Sequence, residues 1–287
     1  MSGYKYVGVF QKMLPPWFLS HAMSLTMSLT MSLTRNASEL SDLYNRVQPH
    51  YEFAKGHSGA LLHSRAFVEP SPPLKIPPSH NRRLLQGLHM VEIPEEYDVR
   101  PRQEVIDQGH CNSCFAITAA EQINYWTERH NSPPVSYQTL MDCAPGALGC
   151  KGGLMENVFE WGGPYYGDSC DGLTGLEVDD YVVISDLEGG DVEPHLAAAV
   201  YQYGPIPVGI DSTSSRFLTY RSGVIQPEEC NKVPNHAVVV VGYTPAFWIV
   251  KNSWGTKWGE GGYAKISRGH DTCGISSYAS FATHFKP

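Results

Sequence analysis

All seven cysteines of this 287-residue chain fall between Cys111 and Cys273. Crosslinks or thiol chemistry are therefore confined to the second part of the chain, and an odd count leaves one thiol over if the others pair. The charge divides close to the same place. Residues 1–91 carry nine Lys/Arg against four Asp/Glu, a net +5, and residues 92–287 carry twelve against twenty-five, a net −13. Such a split points to two units that attract each other. The total of −8 gives a nucleic-acid partner no support. At roughly 150 residues per domain, the length predicts two domains, or one with a sizeable extension. With 42% hydrophobic and 17% charged residues the chain can build a real core. No apolar run approaches the roughly 18 residues of a membrane-spanning helix.

Residues 1–91 read poorly as a domain. Met23-Ser-Leu-Thr repeats three times through Thr34, a low-complexity tract with no packing logic. Residues 6–19 are apolar in places but are interrupted by Lys12 and by Pro15-Pro16. A proline pair breaks the short helix of a secretory signal, so no signal peptide is clearly present. Leu40, Leu43, Tyr44 and Val47 predict a short amphipathic helix, with Asn36 or Ser38 as N-cap and Pro49 as its end. Asn36-Ala-Ser38 is a glycosylation sequon that matters only in the secretory pathway. Five prolines between Glu69 and His80, followed by Arg82-Arg83, predict an extended linker or a processing site.

Residues 92–287 read as one α+β unit. Ala116, Ala119, Ala120, Ile123 and Trp126 share one helical face, which predicts a helix over 113–130 stopped before Pro133-Pro134. Further helices are predicted over 153–161 and over 192–203, the latter with Pro194 in its first turn. Beyond residue 204 the pattern turns to strands, at 237–241, 247–250 and 262–267. Helices first and strands later predict a helical half packed on an antiparallel half, with a cleft where they meet.

Cys114 stands in the opening turn of the first predicted helix, where unpaired backbone N–H groups and the helix dipole favour thiolate over thiol. Cys111-Asn-Ser-Cys114 alone has several readings: half of a zinc site, a redox dithiol, or two ordinary disulfide cysteines. Downstream, Pro234-Asn-His236 opens a strand and Lys251-Asn252-Ser-Trp254-Gly follows the next. Neither His236 nor Asn252 is telling by itself, since the chain has 12 histidines. Together with Cys114 they supply a nucleophile, an imidazole to exchange its proton, and a third group to hold the ring.

With these residues in hand, residues 93–283 resemble the papain-like cysteine peptidases, and the cathepsin L-like group among them. The motifs are Gln108-Gly with Cys111-Asn-Ser-Cys114-Phe-Ala, Gly149-Cys150-Lys-Gly152-Gly153, Asn235-His236-Ala-Val, Lys251-Asn252-Ser-Trp254-Gly, and Cys273-Gly-Ile. His236 lies 122 and Asn252 138 residues after Cys114, against about 130–150 for this type of enzyme. The resemblance implies an α+β, two-lobed fold: a helical half on an antiparallel, barrel-like half, with the active-site cleft between. It implies an endopeptidase with catalytic Cys114, His236 and Asn252, Trp254 shielding the His–Asn bond, and Gln108 in the oxyanion hole. Gly152 and Gly153 would pair with an extended substrate backbone. Leu154, Met155, Gly209, Pro234 and Tyr278 would form the pocket for the P2 side chain, favouring bulky apolar or aromatic residues. Disulfides Cys111–Cys150, Cys143–Cys170 and Cys230–Cys273 are implied, which leaves Cys114 outside a disulfide and places the enzyme in the secretory pathway, lysosomal or extracellular. No metal or cofactor is implied, and the enzyme is expected to act as a monomer on protein and peptide substrates.

There are departures from the family pattern. Asn112 and Phe115 replace the usual Gly and Trp beside the nucleophile, and Val99 stands where a Trp is common. The propeptide helix signature of cathepsin L relatives is missing from residues 1–91, which are read as a divergent or truncated leader that inhibits the 92–287 peptidase domain until cut near residues 83–92. The alternative to an active peptidase is a catalytically impaired relative that serves as a binding or regulatory protein; it would have lost the nucleophile, the base or the orienting Asn.

Overall fold

The computed structural model describes residues 92–163, 170, 176–185 and 192–286. Residues 1–91, with their predicted helix, sequon and linker, lie outside the described residues.

The helical half is built on α1 (Cys114–His130), followed by α2 (Tyr137–Cys143) and α3 (Met155–Trp161). On α1 the predicted face is the buried one: Ala116, Ala119 and Ile123 expose nothing. The half-buried Trp126 of that face donates its indole N–H to the Tyr203 carbonyl at 3.1 Å. The helix ends where Asn131 turns left-handed, with φ 53° and ψ 34°, a conformation a short polar side chain tolerates better than most. Ser136 caps α2 by accepting from the Gln138 N–H. Between them, buried Asn124 takes the N–H of Val135 at 2.6 Å and donates to its carbonyl at 2.9 Å, doing for this connection what a neighbouring strand would do. Phe115, Ile123, Leu140, Met141, Met155, Val158 and Phe159 pack together as the core of this half.

The other half is a sheet of β1 (Tyr97–Asp98), β2 (Glu177–Ser185), β3 (Ile206–Ile210), β4 (Val224–Ile225), β5 (His236–Tyr243), β6 (Phe247–Lys251), β7 (Tyr263–Ser267) and β8 (Tyr278–Lys286). The strand order is β2-β8-β3-β5-β6-β7-β4, with β1 added on β5. All pairs are antiparallel except the short β4–β7 pair, which is parallel. The sheet is thus largely antiparallel, as expected for this half, with one parallel pair at its edge. The unbroken valine run of β5 follows from burial on both faces. Val238 and Val240 enter the large core with Ile206, Val208, Trp248, Val250 and Phe281, while Val239 and Val241 meet Ile249 on the opposite side. Helix α4 (Glu193–Tyr203) covers the large core with Leu196 and Val200, and its proline sits in the first turn as predicted. The one-turn helix α5 (Ser215–Leu218) puts Phe217 into that core.

Polar side chains of α1 join the halves. The amide of Gln122 accepts from the Ala282 N–H at 2.8 Å and donates to its carbonyl at 3.2 Å, filling both backbone positions of β8 there. At the preceding position of α1, Glu121 forms a buried ion pair with Lys251 of β6 at 2.6 Å. The three disulfides are Cys111–Cys150, Cys143–Cys170 and Cys230–Cys273.

Candidate active site

Cys114 is the first residue of α1 and the one cysteine outside a disulfide. Cys111 is bonded to Cys150, 39 residues away, so the readings of Cys111 and Cys114 as a dithiol or as half of a zinc site are set aside. The bend leading into the helix is pinned by backbone bonds, from the Cys111 N–H to the Gln108 carbonyl at 3.2 Å and from the Asn112 N–H to the Cys150 carbonyl at 3.1 Å. The thiol is half-buried at a helix start, where N–H groups without an intrahelical partner stabilise negative charge.

His236 opens β5 and Asn252 follows β6, and both are almost fully buried. The His236 Nε2 lies 2.8 Å from the Asn252 Oδ1. The Ser253 N–H donates to the same atom at 2.8 Å, so this atom must be the amide oxygen. An oxygen acceptor requires the hydrogen on Nε2, which leaves Nδ1 as the basic nitrogen of a neutral ring. Trp254 covers this bond, its ring 5.0 Å from the imidazole and tilted by 31°. Phe217 and Trp258 both meet the Trp254 ring edge-on, at 5.3 Å and 5.5 Å. Water is excluded from one side of the His–Asn pair, and a hydrogen bond in such surroundings is electrostatically stronger. On its other side the strand faces α1: Cys114 and Ala237, the residue after His236, belong to one apolar cluster.

Gln108 is held at both ends. Its Oε1 accepts from the Ser253 hydroxyl at 2.5 Å, and its Nε2 donates to the Cys111 carbonyl at 2.8 Å. The backbone N–H of Gln108 also donates to the Ser253 carbonyl at 2.9 Å. With the oxygen engaged by Ser253, the amide is orientated so that Nε2 faces the turn leading to Cys114, and one of its two hydrogens is left over.

The residues expected to bind substrate fall into two groups. Gly152, with φ 105°, occupies a conformation that side chains rarely adopt. Gly152, Gly153 and Leu154 are half-buried and offer surface. A Cβ on Gly153 would lie 2.8 Å from the ring of Phe115, so this glycine is needed for packing as well as for backbone access. Met155, Gly209, Pro234 and Tyr278 are buried, and a Cβ on Gly209 would lie 2.6 Å from the Tyr278 ring and 3.1 Å from Pro234. Tyr278 donates its hydroxyl to the buried carboxylate of Glu156. Burial first, and then the Glu156 charge beside it, push this phenol well above its ordinary range. Ser253, Glu156, Phe217 and the Glu121–Lys251 pair pack around these candidate residues, and sequence reasoning passed over them. Ser253 and Lys251 lie inside the Lys251-Asn252-Ser-Trp254 motif and were within reach. Glu121 was visible only as a charge seven residues after Cys114, beside an apolar helical face.

Residues 93–283 match the profile described as papain family cysteine protease. The chain is 36% identical to cathepsin L of Sarcophaga peregrina over 238 residues, covering 72% of this chain and 66% of that protein. It is 34% identical to cathepsin K of Mus musculus over 258 residues, covering 80% and 78%. The chain thus spans just under two thirds of the first relative's length and more of the second's. Among solved structures, it is similar to the Amb a 11 cysteine protease of ragweed pollen in its proform, with TM-score 0.59, 32% identity and 69% of each chain covered. It is also similar to a cysteine protease of Carica candamarcensis in complex with E-64, with TM-score 0.57, 27% identity, and 67% of this chain and 99% of that one covered.

Proposed function

The chain belongs to the papain family of cysteine proteases, and from that premise we propose that it is an endopeptidase whose nucleophile is Cys114. The Cys114 thiolate adds to the carbonyl carbon of the scissile peptide bond, and the carbonyl electrons move onto oxygen. The remaining Gln108 Nε2 hydrogen and the Cys114 backbone N–H receive that oxyanion; one such donor contributes about 3 kcal/mol to the transition state. His236, protonated at Nδ1 by the thiol, passes this proton to the leaving amine as the C–N bond breaks and a thioester remains. Water then adds to the thioester with His236 as base, the carboxylic acid leaves, and the proton returns to sulfur. Asn252 keeps the imidazole in one tautomer and orientation throughout. The observation that carries this reading is the buried His236–Asn252 bond beside an amide, Gln108, that Ser253 holds in one orientation.

The finer assignments rest on the same site. Gly152 and Gly153 accept the extended substrate backbone. Leu154, Met155, Gly209, Pro234 and Tyr278 surround a P2 side chain and favour a bulky apolar one. Residues 1–91 act as an inhibitory leader on the acidic 92–287 domain, helped by opposite charge that salt weakens. The proform relationship to Amb a 11 and the charge split support this. Three disulfides support an oxidising compartment, secreted or lysosomal. Among the described residues, no helix is long and apolar enough to cross a membrane.

The test is turnover of internally quenched peptides that vary at P2, by the enzyme cut after the leader and by Cys114→Ala. Cleavage that favours bulky apolar P2 and vanishes in Cys114→Ala supports the proposal. A folded enzyme that binds peptides without cleaving them overturns it in favour of a binding role, and best cleavage after charged P2 overturns the pocket assignment alone.

A further inference from the structure

We propose that Lys251 is a positioning residue for catalysis: one buried cation holds in register the three segments that carry Cys114, Gln108 and Asn252. The inference rests on the peptidase reading above and assigns a role to an ion pair that the reaction itself does not use.

Lys251 ends β6, immediately before Asn252. Successive side chains of a strand point to opposite faces, so Lys251 reaches behind the site while Asn252 reaches into it. Its ammonium donates to the Glu121 carboxylate at 2.6 Å and to the Gln103 carbonyl at 2.8 Å. Glu121 stands two turns along α1 from Cys114, on the same side of the helix. Gln103 begins the short extended approach to Gln108. The strand is held independently, Lys251 being registered with Val239 of β5 and Tyr263 of β7. One side chain on a fixed strand therefore sets the distance to the nucleophile's helix and to the segment that presents the oxyanion donor.

The energetics argue that this pair is not kept for stability. Lys251 and Glu121 are 3% and 4% exposed. Among the described residues the second Glu121 oxygen meets no hydrogen-bond donor, and burial raises the Glu121 carboxyl above its ordinary range against the opposing pull of Lys251. A buried ion pair recovers its desolvation cost only when every polar atom is satisfied, and apolar residues of similar volume do as well or better. What apolar residues cannot supply is direction. Two N–H bonds from one nitrogen, to acceptors on separate segments, fix angles as well as contact. Misplacement of a catalytic group by about 1 Å can reduce the rate about a hundredfold.

The test replaces the pair without stranding a charge, as Glu121→Leu with Lys251→Met, and compares it with Glu121→Gln and with the parent, all free of leader. Active sites are counted by titration, so that kcat refers to folded enzyme. Kinetics on a quenched peptide and the rate of iodoacetamide alkylation of Cys114 across pH are then measured. The expected result is a double variant of unchanged or higher melting temperature whose kcat is lower by about ten- to a hundredfold. KM stays within about threefold, and the pH range of fast alkylation narrows as the thiol and imidazole fall out of register. Glu121→Gln, which keeps the shape, shows the same direction with a smaller loss and covers the case in which the double variant does not fold. Parent-like kcat and alkylation profile in whichever variant folds overturn the proposal and leave the peptidase reading standing. A parent with no turnover and no reactive Cys114 overturns both.

Discussion

His236 shows how much one buried residue can settle. A neutral imidazole has two tautomers, and the shared acceptor Oδ1 of Asn252, which also takes the Ser253 N–H, selects one of them. Ser253 contributes twice, through its backbone to Asn252 and through its hydroxyl to Gln108. Gln108→Ala should therefore lower kcat by about 10²–10³. Ser253→Ala, which leaves the amide present but loosely orientated, should lower it by about fivefold, equivalent to one ordinary hydrogen bond of roughly 1 kcal/mol. Steady-state kinetics on titrated enzyme separates these; a Ser253→Ala enzyme with parental kcat would show that Gln108 needs no such anchor. Tyr278 answers to the same logic for stability. Tyr278→Phe removes this donor from the Glu156 carboxylate, and urea unfolding should show a loss of about 1.5–3 kcal/mol, the range for a hydrogen bond to a charged group.

At the scale of elements, the approach of the Gly152-Gly153 segment to α1 depends on a glycine facing a phenylalanine. A methyl group on Gly153 would sit 2.8–3.0 Å from three ring atoms of Phe115, and Phe115 is itself almost fully buried. Gly153→Ala should cost about 1–3 kcal/mol by overpacking, and most of that should return in Gly153→Ala with Phe115→Leu, as read from the shift in melting temperature. A full-cost double variant would point to backbone strain at Gly153 instead. The elements that were legible in sequence are those with a clear period or a long apolar run: α1 by its alanine face, β5 by its valines, α4 by its first-turn proline. Those that were missed are short or lack alternation. Helix α2 is seven residues long and buries only Leu140 and Met141, too few for a period to show. Strand β8 mixes Tyr278, Ala279, Ser280 and Phe281, all buried because both of its faces are covered, and its partner β2 lies some hundred residues earlier. Cys114, His236, Asn252 and Gln108, the residues proposed to carry the chemistry, could be picked out as candidates because they sit in local motifs. Glu121, Glu156 and Phe217 were not, since their roles come from which segments the fold brings against them.

For the whole molecule, three disulfides close loops of 27, 39 and 43 residues, and each removes unfolded-state entropy equivalent to about 4 kcal/mol. Acid should also loosen one corner of the sheet half. Burial pushes the Glu260 carboxyl up, but hydrogen bonds from Lys265 and Tyr220 more than offset this and hold it below its ordinary range. A carboxyl lowered on folding adds stability that is present above its unfolded value and is lost as pH falls through its folded value. Glu260→Gln should flatten the acid side of the stability–pH curve in thermal melts from pH 7 to 3, and a curve parallel to the parent's would contradict the assignment. The chemistry proposed for the whole molecule centres on one thiol, Cys114. The direct measurement is to label the leader-free enzyme with an epoxide inhibitor of thiol peptidases and map the adduct by peptide mass spectrometry. The account predicts one equivalent of label on Cys114, with complete loss of peptidase activity at that stoichiometry. Label on any other residue, or full activity with Cys114 modified, would contradict it.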